Sequence, residues 1–195
     1  MFFVGSVWGE SVEQNKVKAE QGDSDAQVKQ GIGYFYGLTV AQDYIEAAKW
    51  FRLAAEQDHH AAQLMLGEMY RKGQGVAQDY DEAARLYRQS AEHNNVNAQT
   101  KLGVAYNKGQ GVIQNHKEAA KWWRLAAEQG DPSAQYNLGN MYRKGQGVIQ
   151  DYREAARWMQ LAAQQGDPKS QVNLGIMYAT GQGVVEDYKE AHMWF

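Results

Sequence analysis

Apolar residues fall at Ala134, Leu138, Met141 and Tyr142, spaced 4, 3 and 1 residues apart. That is one stripe of a 3.6-residue period, and it predicts a helix, helix A. Asp131-Pro132 supplies an N-cap residue and then the one helical position that tolerates proline. Gly145 suits a left-handed C-cap. The connector Gly145-Gln146-Gly147-Val148 has two glycines to reverse the chain, and Asp151-Tyr152-Arg153-Glu154 reads as a capping box that starts helix B. Ala155, Trp158, Met159, Ala162 and Ala163 share a helical face until Gly166 ends it. The predicted unit is a helix hairpin.

This unit repeats. Ala-Gln pairs begin at Ala26, Ala62, Ala98 and Ala134, followed by Ser170-Gln171, every 36 residues. The units starting at Ala62 and Ala134 agree at 20 of 36 positions, far beyond chance. A hairpin of this length cannot bury its apolar stripe alone and needs neighbours on both sides, the physical basis of a solenoid. Gly139 with Ala155, and their equivalents Gly103 with Ala119, Gly67 with Ala83 and Gly31 with Ala47, predict close approach of helices A and B. Large residues at Trp50, Leu86, Trp122, Trp158 and Trp194 are expected to wedge consecutive hairpins together, as core rather than a cofactor box. The expected fold is all-α, with repeats at 26–61, 62–97, 98–133 and 134–169 and a partial one at 170–195.

Composition narrows the function. The net charge of -3, with 20 Lys and Arg among 23 Asp and Glu, does not supply the basic field that nucleic acid requires. No apolar run approaches the roughly 20 residues that span a bilayer. With Cys 0 there is no disulfide framework, thiol nucleophile or cysteine zinc site. The Gly-x-Gly motifs follow helices and are turns, and the Asp-x-x-Glu carboxylates are explained by capping. The five histidines show no ligand spacing; His59-His60 lies in an interrepeat loop where Gly-Asp is expected, which reads as solvated. No catalytic residue, metal or cofactor is expected.

The pattern Ala-x-x-x-Leu-Gly-x-Met-Tyr-x-x-Gly-x-Gly-Val-x-x-Asp-Tyr-x-Glu-Ala-x-x-Trp-x-x-x-Ala-Ala, from Ala134 to Ala163, resembles the sel-1-like repeat, a relative of the tetratricopeptide repeat. The resemblance spans about residues 26 to 195. It implies a right-handed α/α superhelical solenoid acting as a non-catalytic adaptor for proteins or peptides; many such proteins are bacterial and often exported. Cysteine-rich members tie each hairpin with a disulfide, and some are associated with β-lactam binding. The alternative function is thus a cell-envelope hydrolase or β-lactam-binding protein, a reading weakened by the absence of cysteine.

The ends differ from the repeat. Residues 9–25 align with the second half of a unit but carry Gln14 at the tryptophan position, with Glu13 and Lys16 nearby, as an N-terminal capping helix should. Met1 to Trp8 is apolar and reads either as the tail of a secretory signal or as a disordered leader. The first reading favours a periplasmic or secreted protein, the second a cytoplasmic one. The sequence stops at Trp194-Phe195 within a helix B, which suggests a fragment of a longer array or a head-to-tail contact with a second copy.

Candidate binding residues are those that vary between units. With the Ala of each Ala-Gln pair as position 1, positions 3, 7 and 10 of helix A share a face, and position 4 also varies. In tetratricopeptide-like superhelices helix A lines the concave groove, so by resemblance this strip faces the partner. It gives Leu64, Glu68, Arg71, Thr100, Val104, Asn107, Tyr136, Asn137, Asn140, Arg143, Asn173 and Ile176. Asn137, Asn140 and Arg143 place two amides and a guanidinium together, suited to a carboxylate. The competing reading is that these positions are merely solvated, and that Arg143, with Arg71-Lys72, Lys108 and Lys144, complements the helix dipole.

Overall fold

A computed structural model describes residues 12–38 and 40–194, so the expected leader at 1–8 and the first residues of the half-repeat lie outside the described residues. Among the described residues there are eleven helices and no strand. The short helix α1 (Val12–Glu20) precedes five A helices, α2 (Ser24–Tyr36), α4 (His60–Lys72), α6 (Val96–Lys108), α8 (Pro132–Lys144) and α10 (Pro168–Thr180). These alternate with the B helices α3 (Tyr44–Ala55), α5 (Tyr80–Glu92), α7 (His116–Glu128), α9 (Tyr152–Gln164) and α11 (Tyr188–Met193). The chain divides into two compact units, up to Ser90 and from Ala91. In each, consecutive hairpins pack helix on helix, the α/α solenoid class.

The helix limits follow from local chemistry. Asp131 Oδ1 accepts from the Ala134 amide at 2.6 Å, and Gly145 closes α8 in the left-handed region at φ 66°. At the start of α9, Asp151 Oδ1 accepts from the amides of Arg153 (2.8 Å) and Glu154 (3.1 Å). Only this half of the expected capping box forms. The hairpin is so tight that the Asp151 amide donates to the Tyr142 carbonyl at 3.0 Å, and Glu154 turns to Arg157 at 3.4 Å. The same tie from cap amide to tyrosine carbonyl recurs at Asp43, Asp79, Asn115 and Asp187, and it pins each B helix to the last turn of its A helix.

His59 closes the interrepeat loop but is not simply solvated. It is the N-cap of α4, its Nδ1 accepting from the Ala62 amide at 3.4 Å while Nε2 meets Asp25 Oδ1 at 3.0 Å, and His60 is the first helical residue. An accepting Nδ1 puts the proton on Nε2, which donates to Asp25. Asp58, with φ 58°, takes the left-handed place held elsewhere by glycine.

Packing explains the small residues. A Cβ on Gly139 would lie 2.9 Å from Met159 Cγ and 3.2 Å from the Ala155 carbonyl oxygen, so α8 and α9 reach contact because that side chain is missing. The residues laid over the equivalent glycines are Phe51, Tyr87 and Trp123, one place after the tryptophan column. Two members of the column, Leu86 and Trp158, wedge hairpins as expected, while Trp50, Trp122 and Trp194 are half-buried. Leu86 joins the core of the first unit with Phe51, Leu66 and Met69. Trp158 reaches from α9 into the α7–α8 core beside Trp123, Leu138 and Met141. Connectors lock onto the preceding hairpin: a Cβ on Gly147 would run into the His116 carbonyl at the start of α7.

A glutamine ladder ties the stack together. Gln135 is 3% exposed. Its Nε2 donates to the Ala127 carbonyl of the preceding B helix at 3.2 Å, and its Oε1 accepts from Gln165 Nε2 at 2.9 Å. Gln99 with Ala91 and Gln129, and Gln27 with Ala19 and Gln57, repeat the arrangement. These three buried amides are thereby satisfied on both sides, whereas Gln63 donates to the Ala55 carbonyl and its Oε1 has no partner among the described residues.

Candidate binding strip on the A helices

Along α8 Ser133 and Lys144 are exposed, and the half-buried Asn137 and Asn140 lie between them on one face, the four spaced 4, 3 and 4 residues apart. At about 100° per residue these four lie within about 60° of arc. The same register gives Asn97, Lys101, Val104 and Lys108 on α6, and Lys169, Asn173, Ile176 and Thr180 on α10. In the first unit it gives Asp25, Lys29, Ile32 and Tyr36 on α2, and Ala61, Met65, Glu68 and Lys72 on α4. The open stripe therefore runs through positions 4 and 7 and through the residues just before position 1 and just after position 10.

Positions 3 and 10 sit roughly 80° to one side of that stripe, on an edge partly taken up by packing. Val28 and Phe35 press on the core of the first unit. Thr100 is buried; its Oγ1 donates to Asp131 Oδ1 at 3.1 Å and its carbonyl accepts from Trp123 Nε1 at 3.1 Å. Leu64 is half-buried, as is Val104, which packs against the α7–α8 core. Asn107 Oδ1 meets His116 Nδ1 at 3.0 Å. Tyr136 is half-buried, with Lys169 Nζ 5.8 Å from its ring centre. Asn137 is half-buried and has no hydrogen-bond partner among the described residues. Asn173 Nδ2 donates to the Lys169 carbonyl at 2.8 Å, and Ile176 is 47% exposed.

Two repeats treat their arginine differently. In the first unit Glu68 takes both edges of Arg71, Oε1 at 3.1 Å from Nε and Oε2 at 2.9 Å from Nη2. Tyr87 Oη donates to the same carboxylate at 2.5 Å. The Glu68 hydrogen bond holds the guanidinium far above its ordinary range, and burial, then Glu68, pushes the Tyr87 phenol up. At the matching place in α8 the neutral Asn140 stands instead of an acid. Arg143 Nη2 donates to Asn140 Oδ1 at 3.2 Å, the Asn140 amide donates to the Tyr136 carbonyl at 3.2 Å, and Arg143 Nε is buried without a partner. The structure thus brings Tyr136, Asn140 and Arg143 together and leaves the charge of Arg143 uncancelled.

Lysines at the ends of the stripe, Lys108, Lys144 and Lys169, are exposed and absent from the sequence-derived set. Their places do vary between repeats, with Tyr36 and Thr180 matching Lys108 and Lys144, and Asp25, Ala61, Asn97 and Ser133 matching Lys169, so variation alone does not single them out. A second polar feature, a cleft of about 210 Å³ between α3 and α5, includes Arg52, Glu82 and Arg85 in its lining. Its charges are met internally: Arg85 pairs with Glu82 at 2.6 Å, holding that carboxyl below its usual range, and Arg52 donates to Tyr70 Oη at 3.0 Å. Among the described residues no group of three or more His, Asp or Glu could hold a metal, and no helix is long and apolar enough to cross a membrane.

A model of the Sel1 repeat family matches residues 24–59, 60–95, 96–131, 132–167 and 168–195, each match starting on the first residue of an A helix. Similar solved structures include a protective antigen present in uropathogenic Escherichia coli strains that displays an SLR fold. It is 42% identical with a TM-score of 0.92, over 95% of this chain and 40% of that one, so the chain spans well under half of the antigen. A Sel1 repeat protein from Oxalobacter formigenes is 34% identical with a TM-score of 0.87, over 94% of this chain and 78% of that one. The cysteine-rich protein B of Helicobacter pylori is 25% identical with a TM-score of 0.50, over 65% of this chain and 96% of that one. No protein with a curated description matches the chain.

Proposed function

The chain belongs to the Sel1 repeat family, and from that premise we propose that it is a non-catalytic scaffold that binds another protein or peptide along the open stripe of its A helices. The observation that carries this reading is the stripe itself. Asn137 has no partner among the described residues, Ile176 stands 47% exposed, and the fully buried Leu138, Met141, Leu174 and Met177 lie on other faces of the same helices. Amide, aliphatic and cationic side chains at one-turn intervals suit an extended segment or a partner helix. In the second unit the sequence-derived residues at positions 4 and 7, Asn137, Asn140, Asn173, Ile176 and Val104, belong to the stripe, with Tyr136, Asn107 and Arg143 at its rim. In the first unit Glu68 belongs to the corresponding stripe, with Leu64 and Arg71 at its rim.

Capture from an extract of the native source tests the reading, using the chain and a double variant, Asn137→Tyr with Ile176→Glu. The expected result is a prey protein held by the parent and lost by a variant that melts at the same temperature. Prey held equally by both, or none above the bead background, overturns it. Action outside the cytoplasm, in the periplasm or after secretion, is part of the same proposal. The description of the 42% identical relative as a protective antigen supports it, and cell fractionation tests it.

A further inference from the structure

The three A helices of the second unit, α6, α8 and α10, contain Lys101, Lys108, Arg143, Lys144 and Lys169 and not one Asp or Glu. Lys108, Lys144 and Lys169 are exposed, Arg143 is half-buried, and none of these four has a carboxylate within ion-pair distance among the described residues. The rest of the stripe there is uncharged: Asn97, Ser133, Asn137, Asn140 and Asn173 can donate hydrogen bonds to an anion, while Val104 and Ile176 are apolar. A net charge of -3 hides this local field.

The first unit displays the group that such an arginine accepts. Arg71 holds a carboxylate through Nε and Nη2, whereas the neutral Asn140 gives Arg143 a single oxygen and no charge. From this pair, and resting on the peptide-binding reading above, we propose that the partner presents an internal acidic segment. One of its Glu or Asp side chains pairs with the terminal nitrogens of the Arg143 guanidinium, and flanking carboxylates lie along Lys108, Lys144 and Lys169. Arginine binds a carboxylate through two parallel hydrogen bonds, so Arg143 sets the register, and the lysines act as point charges that salt screens. Asn137, half-buried and without a partner, donates to the backbone of the segment.

The test is fluorescence anisotropy at low and at physiological salt. The probe is a ten-residue peptide of alternating Glu and Ser with both termini blocked, so that only side-chain carboxylates are offered. A Gln-Ser peptide and a single-stranded oligonucleotide of similar charge run in parallel. The expected result is saturable, salt-weakened binding of the Glu peptide alone, reduced at least about fivefold by Arg143→Gln. The same loss is expected from Asn140→Glu, which keeps Arg143 and builds the internal pair that α4 already tolerates.

Binding of the Glu peptide that both variants leave unchanged overturns the proposal. Equal or tighter binding of the oligonucleotide overturns it too, by making the site a general polyanion site. Binding of the Gln peptide, abolished by Ile176→Glu, overturns the need for acid and leaves the wider reading standing. Failure of all three probes overturns the acidic segment, while the capture experiment decides the wider reading separately.

Discussion

Tyr87 shows how one side chain couples packing to charge. Its ring covers Gly67, where a Cβ would come within 2.8 Å, and its hydroxyl donates to Glu68 at 2.5 Å. Burial first, and then the Glu68 carboxylate, raises the phenol above its ordinary 10.0. Folding therefore favours the protonated phenol. The stabilisation is complete below about pH 10, and it is lost as pH rises further because the unfolded chain ionises first. Tyr87→Phe is expected to cost about 1 kcal/mol at pH 7 by removing the hydrogen bond. It should also shrink the fall in stability between about pH 9.5 and 11. Urea titrations at both ends of that range measure this, and equal falls in parent and variant would contradict it.

At the scale of the element, what could be read from sequence was whatever is decided within one turn. Caps such as Asp131 and Gly145, and the stripe at Leu138 and Met141, are local signals that carry their own geometry. The glutamine ladder was not legible, because Gln135 is constant among repeats and is polar, and its partners Ala127 and Gln165 belong to other helices. Thr100 misled for the same reason: only the cap of the following A helix reveals where its hydroxyl goes. Lys108, Lys144 and Lys169 escaped because variation between repeats does not by itself say which places face outward: Lys169 stands where other repeats hold Asp25, Ala61, Asn97 and Ser133, and only the packing of the helices shows it exposed. Gln135→Leu tests the ladder. It strips the donor to Ala127 and the acceptor for Gln165, at an expected cost of about 2 kcal/mol, since a buried site loses both arms. Gln165→Leu, at an exposed place, should cost less than about 1 kcal/mol. Chemical denaturation distinguishes the two, and equal effects would reduce the ladder to ordinary packing.

Over the whole molecule, charge is sorted by element rather than balanced locally. The five A helices hold 8 Lys and Arg against 2 acids, whereas the connectors following α1 hold 10 acids and no Lys or Arg, so the near-neutral total conceals two opposite populations. Cap carboxylates account for much of the second: Asp131, Asp151 and Asp167 each accept backbone amides at helix starts, where the dipole favours them. Lys108, Lys144 and Lys169 have no such internal demand, whereas Arg71 and Lys72 sit beside Glu68. A surface sorted in this way behaves as its face and not as its sum. The chain, at net charge -3 and pI ≈ 6.0, is expected to be retained by a strong cation exchanger at pH 7 and low salt. Lys108, Lys144 and Lys169 changed together to Gln should abolish retention while shifting stability by less than about 1 kcal/mol, since exposed charges contribute little to folding. Changing three B-helix lysines, Lys49, Lys117 and Lys121, to Gln lowers the net charge equally and should leave retention in place. Elution that tracks net charge in both triple variants would show that the A-helix cations do not act as one surface, and would remove the electrostatic ground on which an acidic segment is expected to dock.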